Sequence, residues 1–144
     1  MTARNDEALG ALSGTMCVVT GGLGFIGSNL VHTLVRAGAK VRVIDALVAE
    51  HGGRHDNLDG LPDNAVECTV ASIDDIEVGD IVADADIVFN VAGQVSHIAS
   101  MRDPLRDLHL NATSHATFLE TLRSVNRRVR VVHDERQRPR ARGN

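Results

Sequence analysis

Tyrosine and tryptophan are both absent from this 144-residue chain, and lysine occurs once, as Lys40. No proton transfer that requires a phenolic hydroxyl can run on these residues alone. Fourteen arginines supply the rest of the positive charge, and the formal net charge is −4. A hydrophobic fraction of 43% and a charged fraction of 24% are ordinary for a globular protein, which excludes disordered, collagen-like and coiled-coil classes. The length allows one domain with a real core, not two.

Long apolar runs are missing as well. The most apolar stretch, Met16 to Gly38, is interrupted by four glycines within seven residues and contains His32 and Arg36, which argues against a membrane span. Residues 1–15 carry acidic groups and lack the apolar segment of a secretory signal, so they are expected to form a disordered leader and the chain to be cytoplasmic. Cysteine is sparse. Cys17 and Cys68 are too far apart for a Cys-x-x-Cys site, and each lies in a β-like run where a thiol packs as a small hydrophobe.

What is present alternates strand and helix. Met16–Thr20 is a β-branched run ending in glycines, Phe25–Arg36 has apolar residues at helical spacing, and Val41, Val43 and Ile44 mark a second strand. A polar loop over 46–64 precedes a third strand at Ala65–Val70, a short helix at Ile76–Ala83 and a fourth strand at Asp86–Val91. Asp103 is the expected N-cap of a long helix with Pro104 in its first turn and Leu105, Leu108, Ala112, His115, Leu119 and Leu122 along one face. Val129–His133 closes the series as a fifth strand. Continuous apolar strands joined by right-handed crossovers predict an α/β fold: a Rossmann-like, doubly wound parallel sheet of order 3-2-1-4-5. In that order the two cysteines lie two strands apart, ~9–10 Å, beyond disulfide reach.

The segment Thr20-Gly21-Gly22-Leu23-Gly24-Phe25-Ile26-Gly27 sits where the first strand hands over to the first helix. Gly21 and Gly22 permit a tight turn, Gly24 lets backbone N–H groups approach a pyrophosphate, and Gly27 lets the helix pack closely on the sheet. A helix N-terminus then faces the double negative charge. Asp45, eighteen positions after Gly27, ends the second strand, where a carboxylate accepts hydrogen bonds from both ribose hydroxyls of an adenosine and repels a 2′-phosphate. NAD is therefore expected over NADP.

These residues resemble the extended short-chain dehydrogenase/reductases, specifically the NAD-dependent epimerase/dehydratase group that acts on nucleotide sugars. The spacing T-G-G-x-G-F-I-G is similar to that group's fingerprint, and the likeness continues in order. Val43-Ile44-Asp45 matches the strand ending in the ribose-binding acid, and Ser72-Ile73-Asp74-Asp75 the adenine-holding segment. Asp86 to Gln94 resembles the fourth strand that carries the cofactor across its end, and Asp103-Pro104 with Asp107 to Asn111 resembles the central helix with its inward-facing Asn. Gln94-Val95-Ser96-His97 looks like the loop that borders nicotinamide and substrate, and is read as pocket lining. The resemblance implies cofactor contacts from Gly21, Gly24, Phe25, Ile26, Gly27, Asp45, Ser72, Ile73, Val91, Ala92, Gly93 and Asn111.

Departures from the pattern carry chemical weight. Ser72 stands where the group usually has Asp, leaving an uncharged acceptor for the adenine amino group, while Asn90 and Gly93 replace a usual His and Ala. In the family a tyrosinate, its pKa lowered by a nearby lysine, moves the substrate proton while hydride passes to or from nicotinamide. Here the expected Tyr-x-x-x-Lys is absent, and Lys40 lies at the wrong end of its strand. The chain is read as residues 1–15 leader, 16–133 partial NAD-binding domain, truncated before a sixth strand, and 134–144 basic disordered tail, an ending that points to a reading-frame shift near codon 133. Nucleic-acid binding is not expected, because the arginine-rich tail has no aromatic residue on which a base could stack.

Three further clusters carry no catalytic or metal chemistry. His51 and His55 are spaced for one metal ion only on a helix, which Gly52-Gly53 disfavours; Ser96-His97 lacks a nucleophile elbow; and His115 falls on an apolar face. No catalytic residue and no metal site are assigned. Two readings stay open: the cofactor half of a nucleotide-sugar epimerase or dehydratase, or a non-catalytic dinucleotide-binding or interaction module. In either, the uncovered edge at the fifth strand is a site for homodimerisation or aggregation.

Overall fold

The computed structural model describes residues 10–48, 51–94 and 96–133. Five parallel strands, β1 (Met16–Thr20), β2 (Lys40–Asp45), β3 (Val66–Val70), β4 (Ile87–Asn90) and β5 (Arg130–His133), form one sheet in the order β3-β2-β1-β4-β5. This is the predicted order. On one face, Val18, Ile44 and Val88 pack against α2 (Val78–Val82) and α5 (Ser114–Val125) through Val78, Val82, Phe118 and Leu122. On the other, Cys17, Val19, Val41, Val43 and Ile87 meet α1 (Phe25–Arg36) through Val31 and Leu34. Alternate residues of each central strand thus feed opposite cores, which is why those strands read as unbroken apolar runs.

Gly27 sets how closely α1 approaches the sheet. A Cβ at this position would lie 2.0 Å from the Gly21 carbonyl oxygen and 2.7 Å from the Gly22 Cα, both backbone atoms that cannot swing aside. Only hydrogen fits.

The long helix departs from its expected course. Asp103 caps it as predicted, accepting from the Arg106 N–H at 2.9 Å, and Pro104 opens α4 (Pro104–Leu108). His109–Thr113 is then a π-helical turn before α5 begins at Ser114. In α5, Ser114, His115, Phe118 and Leu122 face inward, while Leu119, expected on the apolar face, is exposed; Leu105 and Leu108, ahead of the π turn, are exposed as well. A further helix, α3 (His97–Arg102), forms within the segment read as a loop, with Ser96 capping it by accepting from the Ala99 N–H.

Two other expectations shift. Residues 10–15, placed in a disordered leader, form a turn whose Gly14 N–H donates to the Gly38 carbonyl and whose Thr15 carbonyl accepts from Lys40, with Leu12 packed on the α1 core. These backbone groups extend the β2 pairing and so hold the turn in place. Residues 1–9 and the basic tail at 134–144 lie outside the described residues. Cys17 is buried, but Cys68 is exposed, because β3 is an edge strand with little over its outer face. Among the described residues no helix is long and apolar enough to cross a membrane.

A buried polar network ties the C-terminal strand ends together. Thr20 Oγ1 donates to Asn90 Oδ1 at 2.7 Å, and Asn90 Nδ2 donates to Nδ1 of His115 at 2.8 Å and of His133 at 3.1 Å. Both imidazoles must then accept at Nδ1 and carry their proton on Nε2. Burial, and next the neighbouring His133, hold the His115 pKa below its ordinary value of 6.5.

This packing can be tested at two positions. Gly27→Ala should lower the unfolding free energy by about 3 kcal/mol, read by urea denaturation; an unchanged midpoint would refute the close approach. His115 binds a proton more weakly when folded, so its contribution to stability is complete above the unfolded pKa and is lost as pH falls through the folded pKa. The urea midpoint should therefore drop between pH 7.5 and 5 more steeply in the wild type than in His115→Gln, and parallel pH profiles would contradict this role.

Candidate functional site

Parallel pairing puts the ends of β1, β2 and β4 on one edge of the sheet, and a cavity of about 340 Å³ opens there. Ligands of open α/β sheets bind in this crevice, beyond the carboxyl ends of the strands. Eleven of the twelve residues expected to contact a cofactor line it: Gly21, Gly24, Phe25, Ile26 and Gly27 from the turn and α1, Asp45 from β2, Ser72 and Ile73 after β3, and Val91, Ala92 and Gly93 after β4.

The glycine turn forms the floor. Gly21 has φ +67°, and a Cβ there would stand 2.8 Å from the Ala92 Cα, so both the dihedral angle and the space demand glycine. Thr20 Oγ1 accepts from the Ala92 N–H at 3.2 Å, which fastens the segment after β4 to the end of β1. Gly24 caps α1 in an extended conformation, no side chain caps this end, and the first turn holds no acid. The leading N–H groups of α1 thus keep their donor capacity beside the cavity, the chemistry required of a phosphate cradle.

Asp45 is held rather than loose. Its Oδ2 accepts from the Leu23 N–H at 3.0 Å and its Oδ1 from the Leu47 N–H at 2.9 Å, which fixes the carboxylate while each oxygen keeps a lone pair. Arg42, on the same strand, is engaged elsewhere with Asp84, Glu67 and the Ile81 carbonyl, so its charge does not answer Asp45. Pairing with Asp84 raises the Arg42 pKa and lowers that of Asp84. Ser72 donates its hydroxyl proton to Asp74 Oδ1 at 2.5 Å, which leaves its lone pairs for an incoming donor such as an amino group. A dinucleotide fits this set: N–H donors at the helix end, a fixed carboxylate at the end of β2, and a hydroxyl acceptor after β3.

Asn111 is the exception among the expected contacts. It does not line the cavity, because its Oδ1 accepts from the Gln94 N–H at 2.9 Å and its Nδ2 donates to Asp107 Oδ1 at 2.9 Å. Its amide braces the segment after β4 instead. Leu110, within the π-helical turn, and Ser114, just after it, line the cavity, and neither was expected there. His51, weighed only as a metal ligand, also lines the wall with Ala46 and Val48, and Gln94 lines the opposite side. Composition marked the 46–64 loop as surface, and only the loop's return toward Asp45 brings His51 in. His55 opens a 3-10 turn at His55–Leu58, and no group of three His, Cys, Asp or Glu suited to a metal ion occurs among the described residues.

Comparisons with known proteins agree with this geometry. The sequence matches the NAD dependent epimerase/dehydratase family over residues 17–133. It is 35% identical to a dTDP-glucose 4,6-dehydratase of Mycolicibacterium smegmatis over 119 residues, covering 81% of this chain and 34% of that protein. Among solved structures, an epimerase of Methanothermobacter thermautotrophicus superimposes with a TM-score of 0.80 at 30% identity, over 91% of this chain and 38% of the other. The Bordetella bronchiseptica enzyme WbmF in complex with NAD+ gives a TM-score of 0.73 at 32% identity, over 85% of this chain and 36% of the other. The chain spans about a third of the length of these relatives. From the glycine turn through β5, this chain belongs to the NAD-dependent epimerase/dehydratase family.

Proposed function

We propose that this chain binds NAD and constitutes the cofactor-holding part of a cytoplasmic nucleotide-sugar epimerase or dehydratase, with residues 16–133 as a partial Rossmann domain. The observation that carries the reading is the convergence of an uncapped α1 N-terminus, a fixed Asp45 and the Ser72 hydroxyl on one cavity. WbmF has been solved with NAD+ and UDP, and a UDP-N-acetylglucosamine 4-epimerase with UDP-N-acetylmuramic acid, which supports a nucleotide sugar as the substrate class. When bound, nicotinamide accepts and returns a hydride.

Each residue then has a defined task. The N–H groups at the start of α1 hold the pyrophosphate, Asp45 accepts from the ribose hydroxyls, and Ser72 accepts from the adenine amino group. Val91, Ala92 and Gly93, fastened by the Thr20 hydroxyl at Ala92 and continued by Gln94 on Asn111, would face the nicotinamide half of the bound cofactor. The 144 residues supply no phenolic base to move the substrate's hydroxyl proton. Taken alone, the chain therefore binds cofactor without turning over substrate, which is also what a non-catalytic dinucleotide-binding module would do.

Calorimetric titration with NAD and NADP tests the binding. NAD should bind more tightly, and Asp45→Ala should weaken NAD about tenfold while narrowing the preference, since the lost hydrogen bonds are charge-assisted. Equal affinity for both dinucleotides, or an unchanged variant, would refute the role of Asp45. Incubation of the pure chain with NAD and UDP- or dTDP-sugars should give no product, and measurable epimerisation or dehydration would overturn the incomplete-catalyst reading.

A further inference from the structure

The peptide groups flanking Leu23, at the centre of the glycine turn, are gripped from both sides. Its N–H donates to Asp45, and its carbonyl accepts twice, from the Arg54 N–H at 3.1 Å and from Asn57 Nδ2 at 2.6 Å. Asn57 is far away in sequence and does not line the cavity. It is itself anchored, because its carbonyl lies 3.1 Å from His32 Nε2. A carbonyl only accepts, so His32 must donate from Nε2. His32 belongs to α1, whose N-cap is Gly24, the residue after Leu23. The contacts close a ring: α1 holds Asn57, Asn57 holds the Leu23 carbonyl, and that carbonyl shares a peptide unit with the cap of α1.

The planarity of the peptide gives the ring its effect. The Leu23 carbonyl and the Gly24 N–H lie in one rigid plane and point in opposite directions, so drawing the carbonyl toward Asn57 turns the Gly24 N–H toward the Gly21 carbonyl, which it reaches at 3.1 Å. A turn with glycine at 21, 22 and 24 has little of its own to choose this orientation. We propose that Asn57 is a positioning residue for the phosphate-binding turn: tethered to α1 through His32, its side chain orients the Leu23 peptide so that the first N–H groups of α1 face the cavity. The ligand half of this inference rests on the proposed NAD site, whereas the turn geometry stands without it.

The test uses Asn57→Asp, which keeps the size but loses the donor, beside Asn57→Ala. Amide NMR spectra of the ligand-free protein should show shifts and faster exchange confined to residues 23–27 and 52–58, with the β1, β2 and β4 amides unchanged. Calorimetry should show NAD weakened about tenfold and adenosine, which lacks the pyrophosphate, changed less than about twofold. Unperturbed 23–27 amides in the Asn57→Asp variant would overturn the proposal, and so would an equal loss of NAD and adenosine binding, which would indicate general loosening of the wall. If the wild type binds neither ligand, the NAD reading fails, and the ligand-free spectra still decide the role of Asn57.

Discussion

The contact between Gly27 and the Gly21 carbonyl underlies the rest of this molecule. A helix that begins within five residues of the end of a strand must fold back over that strand, and here its first turn presses directly on the backbone of the glycine loop. Any side chain at position 27 would push α1 outward. With α1 would go the packing of Val31 and Leu34 on β1 and β2, and the aim of the helix N-terminus at the strand edge. The same atom-level constraint therefore sets both the tightness of one core and the position of the α1 N-terminus beside the cavity.

A second set of interactions governs the other side of the cleft. The Thr20 hydroxyl links the Ala92 N–H to Asn90, and Asn90 in turn joins β4 to α5 and β5 through two histidines. No buried side-chain polar atom among the described residues lacks a partner, so this network fixes strand-end geometry without leaving an orphaned group. Asn111, within the π-helical turn, continues the support outward by accepting from the Gln94 N–H. The cleft is thus built from two separately anchored walls that meet at the contact of Gly21 with Ala92.

The cavity's lining is drawn from the strand ends: the glycine turn after β1, Asp45 at the end of β2, Ser72 and Ile73 after β3, and Val91 to Gly93 after β4. No tyrosine occurs in these 144 residues, so no phenolic hydroxyl lies among them. The relatives it matches are about three times as long.

Sequence alone determined the elements whose signals are local and repeated: the β-branched strands, the glycine turn, α1, the Asp103–Pro104 helix start and, through the rules of parallel crossovers, the strand order. It also identified eleven of the residues that line the cavity, because turn chemistry and strand ends are written in consecutive residues. Tertiary structure decided what depends on contacts between distant positions. The π-helical turn at His109–Thr113, the exposure of Leu119 and the position of Asn111 outside the cavity lining are announced by no periodicity. His51 joins the wall, Cys68 becomes exposed and Asn57 reaches Leu23 only once the polar loop folds back over α1 and β3 takes the sheet edge. Local propensity sets each segment's shape, but which side chains meet is set by packing across tens of residues, where a shift of one residue in a helix changes the face that is buried.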